Sequence, residues 1–222
     1  MKISEVYSSL ISAYCDWGSI LINPRYVRQG NTITWEKYQP KSFTDPIFSN
    51  NVIELIDEGQ YSFQFITDGG IIQLYYSYDS KDNLIGSNLA YISMNEDPNL
   101  PVGWLRIDYD PQNARGLAHP KCHMHWSLFP NSRMAIYGIP SPRQFIEFVI
   151  CSFYPSIYQE KHLNEDGNYH DEGRIRAVNS DCFSFTEDTH FKYMSHFFIP
   201  VSQKAKPVVP PNPLYNNKRK KR

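Results

Sequence analysis

The first stretch of the chain carries apolar side chains at Ile3, Val6, Tyr7, Leu10, Ile11 and Tyr14. Spacings of three and four put them on one face of a helix over 3–17. The pattern then shortens to two segments, 20–22 and 31–36, separated by a turn at Gly30 and read as strands. A brief helix over 51–58 is stopped by Gly59. From Tyr61 the period becomes two. The segment 61–66 alternates aromatic and polar residues, Asp68, Gly69 and Gly70 make a turn, and 71–78 is rich in β-branched and aromatic residues. After a turn at 79–83 a third strand runs over 84–94. Beyond a proline-bearing loop at 95–101 lie strands over 104–110 and 122–128, with 133–139 a sixth. Strands joined by short turns pair antiparallel, because parallel neighbours need long crossovers. Ser141 and Pro142 then suit the N-cap and first position of a helix. Its Phe145, Phe148, Val149, Ser152 and Phe153 share one side, and Pro155 ends the regular part. The aromatic segments 182–185 and 191–199 return to the sheet or cap it. The expected fold class is α+β: a curved antiparallel β-meander of about five or six strands with helices packed on one face.

The character of the chain changes at Lys204. Four prolines follow within 204–213, and Lys218, Arg219, Lys220, Lys221 and Arg222 end the chain as an unbroken basic run. We therefore expect one domain over 1–203 and a disordered tail over 204–222. A single globule of 222 residues buries roughly 70% of its unfolded surface and needs no staple to fold.

Strand alternation also concentrates chemistry. In 104–110 it sends Leu105, Ile107 and Tyr109 to the core and Arg106, Asp108 and Asp110 to the other face. In 121–126 it sends Cys122, Met124 and Trp126 inward and Lys121, His123 and His125 outward. If these consecutive strands pair, both polar rows share one side of the sheet, and His119 in the intervening loop leans over them. Imidazole moves protons near neutrality, a guanidinium grips phosphate oxygens, and a carboxylate beside a histidine fixes its tautomer. The candidate catalytic residues are thus His123, His125, Arg106, Asp108 and His119, with Lys121 and the run Lys218 to Arg222 as candidate nucleic-acid contacts.

Two other readings fit the same residues. A His-x-His strand can hold a divalent metal ion, with His119, His123 and His125, or Asp108 as third ligand, leaving one position open; the expectation without such an ion is chemistry that needs no cofactor. Cys122 faces away and is excluded from that set. The wet face of an antiparallel sheet also collects Arg, Asp, Lys and His with no function at all. Under that reading Asp110 and Lys121 are solvated charges, and His162, His170, His190 and His196 are loop or core residues.

Composition narrows the partners. The net charge of −1 excludes a protein that holds nucleic acid by overall charge, so any such contact is local. Cys15, Cys122, Cys151 and Cys182 have neither metal spacing nor the density of a secreted disulfide scaffold, which fits reduced thiols in a cytoplasm. The N-terminal segment has no signal-peptide core, and no apolar run approaches the length of about 20 residues needed to span a bilayer.

The segment His119-Pro120-Lys121-Cys122-His123-Met124-His125, followed by 142–149 and by Phe153-Tyr154-Pro155, resembles an uncharacterised bacterial domain family with an H-P-x-x-H-x-H strand and a P-x-x-F-x-x-F-V helix. That resemblance implies a fold and little chemistry. The order Arg106-Ile107-Asp108, His119, His123-Met124-His125 more loosely resembles small toxin-like proteins from toxin–antitoxin or phage-defence loci, which implies action on RNA or DNA. The function expected is a nucleic-acid-acting effector, a ribonuclease-like phosphodiesterase. The alternative, from another class, is a non-catalytic accessory subunit that binds a larger protein partner of a defence complex through its aromatic surface and basic tail.

Overall fold

A computed structural model describes residues 1–38, 52–94, 103–115, 118–127, 129–136, 138–164, 172–182 and 184–185. The expected loop at 95–101, the segment 191–199, the tail 204–222 with its five basic residues, and His170, His190 and His196 lie outside them.

The amphipathic opening forms helix α1 (Ile3–Trp17), which buries Ile3, Val6, Leu10, Ala13 and Trp17. Three short strands follow: β1 (Leu21–Ile22), β2 (Tyr26–Gln29) and β3 (Thr32–Trp35). The turn expected at Gly30 joins β2 to β3, and the glycine takes φ +57° there, a conformation costly for other residues. Helix α2 (Val52–Asp57) leads into β4 (Phe63–Phe65), β5 (Ile71–Tyr78) and β6 (Leu84–Ile92). Gly69, with φ +76°, closes the β4–β5 turn.

The second half supplies β7 (Trp104–Tyr109), β8 (Cys122–Trp126), β9 (Phe129–Ala135) and β10 (Gly138–Ile139), then α3 (Pro142–Phe153), α4 (Pro155–His162), α5 (Glu172–Asn179) and β11 (Ser184–Phe185). The fold is α+β. The antiparallel sheet has nine strands, in the order β1-β4-β5-β6-β7-β8-β9 with the β2–β3 hairpin paired to β5, so the expected five or six strands were too few. The segments 20–22 and 31–36, read as strands apart from the meander, are β1 and β3 of this same sheet, and β2, four residues long, is the strand that the pattern did not show. A separate ladder joins β10 to β11.

Ser141 caps α3 as expected: its Oγ accepts from Gln144 N at 3.2 Å, while Gln144 Oε1 accepts from Ser141 N at 3.1 Å. Pro155 ends α3 as expected, with Phe153 its last residue, and also begins a second helix, α4, where its missing N–H costs nothing. Helices α1 and α3 lie together on one face of the sheet. Phe145, Ile146, Val149 and Ile150 of α3 are buried against Leu74, Tyr76, Leu89, Tyr91, Leu105, Ile107 and Cys122. Each such side chain contributes roughly 1.5–3 kcal/mol by leaving water. The opposite face is covered differently. At one end Val52, Leu55, Tyr61, Ile71 and Ile92 form a small second core beneath α2. Beyond it the same face becomes polar. No helix among the described residues is long and apolar enough to cross a membrane.

Candidate functional site

Register decides which polar residues meet. Asp108 stands opposite His123 and Arg106 opposite His125 across β7 and β8. On the other side of β7, Asn88 of β6 stands opposite Asp108, and Tyr75 of β5 opposite Asn88. The sheet therefore carries a row Tyr75, Asn88, Asp108, His123 and beside it a row Gln73, Ala90, Arg106, His125. Side chains directly opposite one another have Cβ atoms about 4.5–5.5 Å apart, so the expected common face for Arg106, Asp108, His123 and His125 is present.

Asp108 is the hub. Its Oδ1 accepts from Asn88 Nδ2 at 2.6 Å and its Oδ2 from Arg106 Nε at 2.9 Å. The same Oδ2 lies 3.4 Å from His125 Nε2 and 3.7 Å from His123 Nε2. Burial by itself would raise the Asp108 carboxyl, but the hydrogen bond from His125, the Arg106 guanidinium and the two imidazoles outweigh it and hold the group below the usual carboxylate range. The ring of His123 is oriented from behind: its Nδ1 lies 2.8 Å from the Pro120 carbonyl, which can only accept, so Nδ1 carries the proton and Nε2 turns toward Asp108. Burial pushes the His123 imidazole down to about 4, against the opposing pull of Asp108.

The loop between β7 and β8 is built to present His119. Asp110 accepts from the backbone N of Asn113 at 3.2 Å and from its Nδ2 at 2.8 Å, and the Asn113 carbonyl accepts from His119 Nδ1 at 2.6 Å. The His119 ring centroid then lies 4.7 Å from that of His123, and His123 lies 4.8 Å from His125. Asp110, expected to be a solvated charge, is a fastening for this loop. Lys121 is exposed, as expected.

Two expectations about exposure are corrected. His123 and His125 do not face open water: they are 1% and 5% exposed, because β8 is an interior strand between β7 and β9 and other residues stand around the rings. Trp126, expected inward, is 40% exposed where the pairing of β8 with β9 becomes irregular at the end of the sheet. Cys122 does turn to the opposite face, where its Sγ lies 3.5 Å from the Gly138 carbonyl.

The rows open into a depression of about 380 Å³. Arg106, Asp108, His119, His123 and His125 all line it, and so do Tyr38, Tyr75, Asn88 and Arg133, which periodicity did not single out. Tyr38 and Tyr75 stack with ring centroids 4.9 Å apart and an interplanar angle of 24°. The strand that carries Tyr75 was legible, while Tyr38 lies past the end of β3; the packing that brings both beside the histidines was not legible. For a metal, the described residues group Asp108 with His123 and His125, their ligand atoms within 4.8 Å of one another. Of the two third ligands expected, His119 and Asp108, it is Asp108 that stands in this group.

Residues 93–197 match the family model Uncharacterized conserved protein (DUF2290). The expected resemblance to a domain family without an assigned activity therefore holds over that span, which contains all five candidate catalytic residues and begins just after β6. Asn88, Tyr75 and Tyr38 lie outside it. No curated protein and no solved structure matches the chain.

Proposed function

We propose that the protein cleaves phosphodiester bonds in nucleic acid, RNA foremost, in the depression on the polar face of the sheet. The observation that carries this reading is the pair of cross-strand rows that converge Arg106, Asp108, His123 and His125 on one hollow with His119 at its rim. Arg106 is the group suited to phosphoryl oxygens, since a guanidinium stabilises the charge that grows on them during displacement. The imidazoles handle protons, directly or through water. An entering oxygen, from a 2′-hydroxyl or water, bonds to phosphorus and gives up its proton; the P–O bond to the leaving sugar breaks, and that oxygen takes a proton up. Asp108 orients its neighbours. The stacked Tyr38 and Tyr75 on the wall favour nucleic acid over a small phosphate ester, because a base can lie on an aromatic face. A role as an effector in phage defence or a toxin–antitoxin system would fit this activity and the likeness of the Arg-x-Asp, His, His-x-His order to such proteins.

The test is incubation of the purified chain with total RNA beside the double variant His123→Ala, His125→Ala. Fragmentation by the native chain and intact RNA with the variant is the result expected. Identical profiles from the two remove the enzyme reading. Co-purification of a larger protein that is lost on deleting 204–222, with no cleavage by either chain, would favour the accessory-subunit alternative.

A further inference from the structure

We propose that Asp108, His123 and His125 bind a divalent transition-metal ion, zinc fitting best. The distances carry the proposal. Asp108 Oδ2 is 3.4 Å from His125 Nε2 and 3.7 Å from His123 Nε2. Ligand atoms at about 2.0–2.2 Å from a tetrahedral ion stand roughly 3.3–3.6 Å from one another. Two edges of the polyhedron are thus close to coordination spacing, and the three residues form the one such group among the described residues.

A simple hydrogen-bonded cluster accounts for these contacts less well. At 3.7 Å the His123 Nε2 contact is longer than a hydrogen bond. With the Pro120 carbonyl accepting from Nδ1, Nε2 is the ring nitrogen turned toward the Asp108 carboxylate. A cation between that nitrogen and the carboxylate oxygen would bond to both. The surroundings match what holds metal ligands in place. His123 donates its second ring N–H to a backbone carbonyl, and the carboxylate is fixed by Asn88 and Arg106. Two imidazoles and one carboxylate without thiolate suit zinc or ferrous iron with a position left open to the depression. His119 stands beside that position and outside the ligand set.

The site stands on this geometry alone, whereas its chemical use rests on the phosphodiesterase reading. With the ion present, His123 and His125 act as ligands, the entering oxygen is a water the ion activates, and His119 is placed to return a proton to the leaving oxygen.

The experiment titrates ZnCl2 into the full chain, stripped with EDTA and dialysed, by calorimetry, and follows CoCl2 binding by visible absorption. About one ion per chain is expected, with the cobalt bands of a four-coordinate nitrogen and oxygen site. His123→Ala and Asp108→Asn should each weaken zinc binding by roughly 100-fold or more, and His119→Ala by less than about threefold. Asp108→Asn keeps the shape of the side chain, and the cobalt spectrum of the native chain needs no variant, so misfolding cannot imitate the result. Absence of saturable one-to-one binding to the native chain, or binding that Asp108→Asn leaves intact, overturns the proposal. RNA cleavage that persists in EDTA overturns the ion as cofactor and spares the phosphodiesterase reading. A chain that binds zinc yet leaves RNA and DNA intact overturns that reading and spares the site.

Discussion

Among the described residues there are two buried clusters that pair histidine with carboxylate, and they differ in one respect. Glu147 on α3 lies 3.4 Å from His162 Nε2 on α4, and Trp17 Nε1 donates to its other oxygen at 2.8 Å. His162 is fully buried, with the Trp17 ring centroid 5.5 Å and the Tyr158 ring centroid 4.5 Å away, and Lys161 covers the outer side of the indole with Nζ 4.1 Å from the Trp17 centroid. Asp108, His123 and His125 are nearly as buried, but they line a depression together with Arg106. The first cluster locks three helices together; the second faces a space that a ligand can enter. Burial of a histidine beside a carboxylate therefore marks a polar network, and access together with a neighbouring cation-rich wall marks a site.

The sharpest way to break this comparison is to remove one imidazole from each cluster. His123→Ala should lower RNA cleavage by about 10²–10⁴-fold, while His162→Ala leaves the activity per folded molecule unchanged; steady-state rates on a labelled RNA read both. Equal losses would mean that the depression is not privileged. Next in size, Trp17→Ala should cost about 3–5 kcal/mol of stability in urea unfolding, since it opens a cavity and removes the donor to Glu147. A loss under 1 kcal/mol would show that this cluster is not sealed as described.

The third contrast is pH, measured on the ion-free chain in EDTA. His123 is held at about 4 in the folded protein, below the roughly 6.5 of an unfolded chain. The folded state then refuses a proton that the unfolded state accepts. Its contribution is whole above pH 6.5 and is lost as pH falls toward 4, a decline on the order of 3 kcal/mol. Urea midpoints at pH 7 and 4.5 should show it, and His123→Gln should flatten the difference; an unchanged slope in that variant would place the proton elsewhere. Smaller again, Tyr75→Ala should weaken RNA binding by about 1–3 kcal/mol if a base stacks there, seen as a higher dissociation constant for a short oligomer bound to a cleavage-defective chain. Lys121→Ala, a single exposed charge, should reduce the salt slope of binding by about one and affinity only a few-fold. A larger effect from Lys121 than from Tyr75 would turn the interface from the hollow to its rim.

The pattern of residues sufficed to put the candidate side chains on one face and not to give the rest of the lining around them. Arg106, Asp108, His123 and His125 were legible because β7 and β8 follow one another in the chain and pair antiparallel, and the two-residue period then fixes which side chains share a face. Tyr75, Asn88, Tyr38 and Arg133 were missed because no local period records which strand lies beside which. Asn88 reaches Asp108 only because β6 pairs with β7 in one particular register.

The same division runs through the whole molecule. Local chemistry determined the elements themselves: the face of α1, the cap and proline that start α3, the turns at Gly30 and Gly69, and the alternation along β5 to β8. Those are contests between neighbours in the chain, settled within a few residues. Only the tertiary structure decided that the histidine face is buried rather than wet, that Asp108 rather than His119 joins His123 and His125, and that His162 belongs to the core. Each of these depends on which distant segments exclude water from a side chain, and burial of that kind is a property of the packed whole.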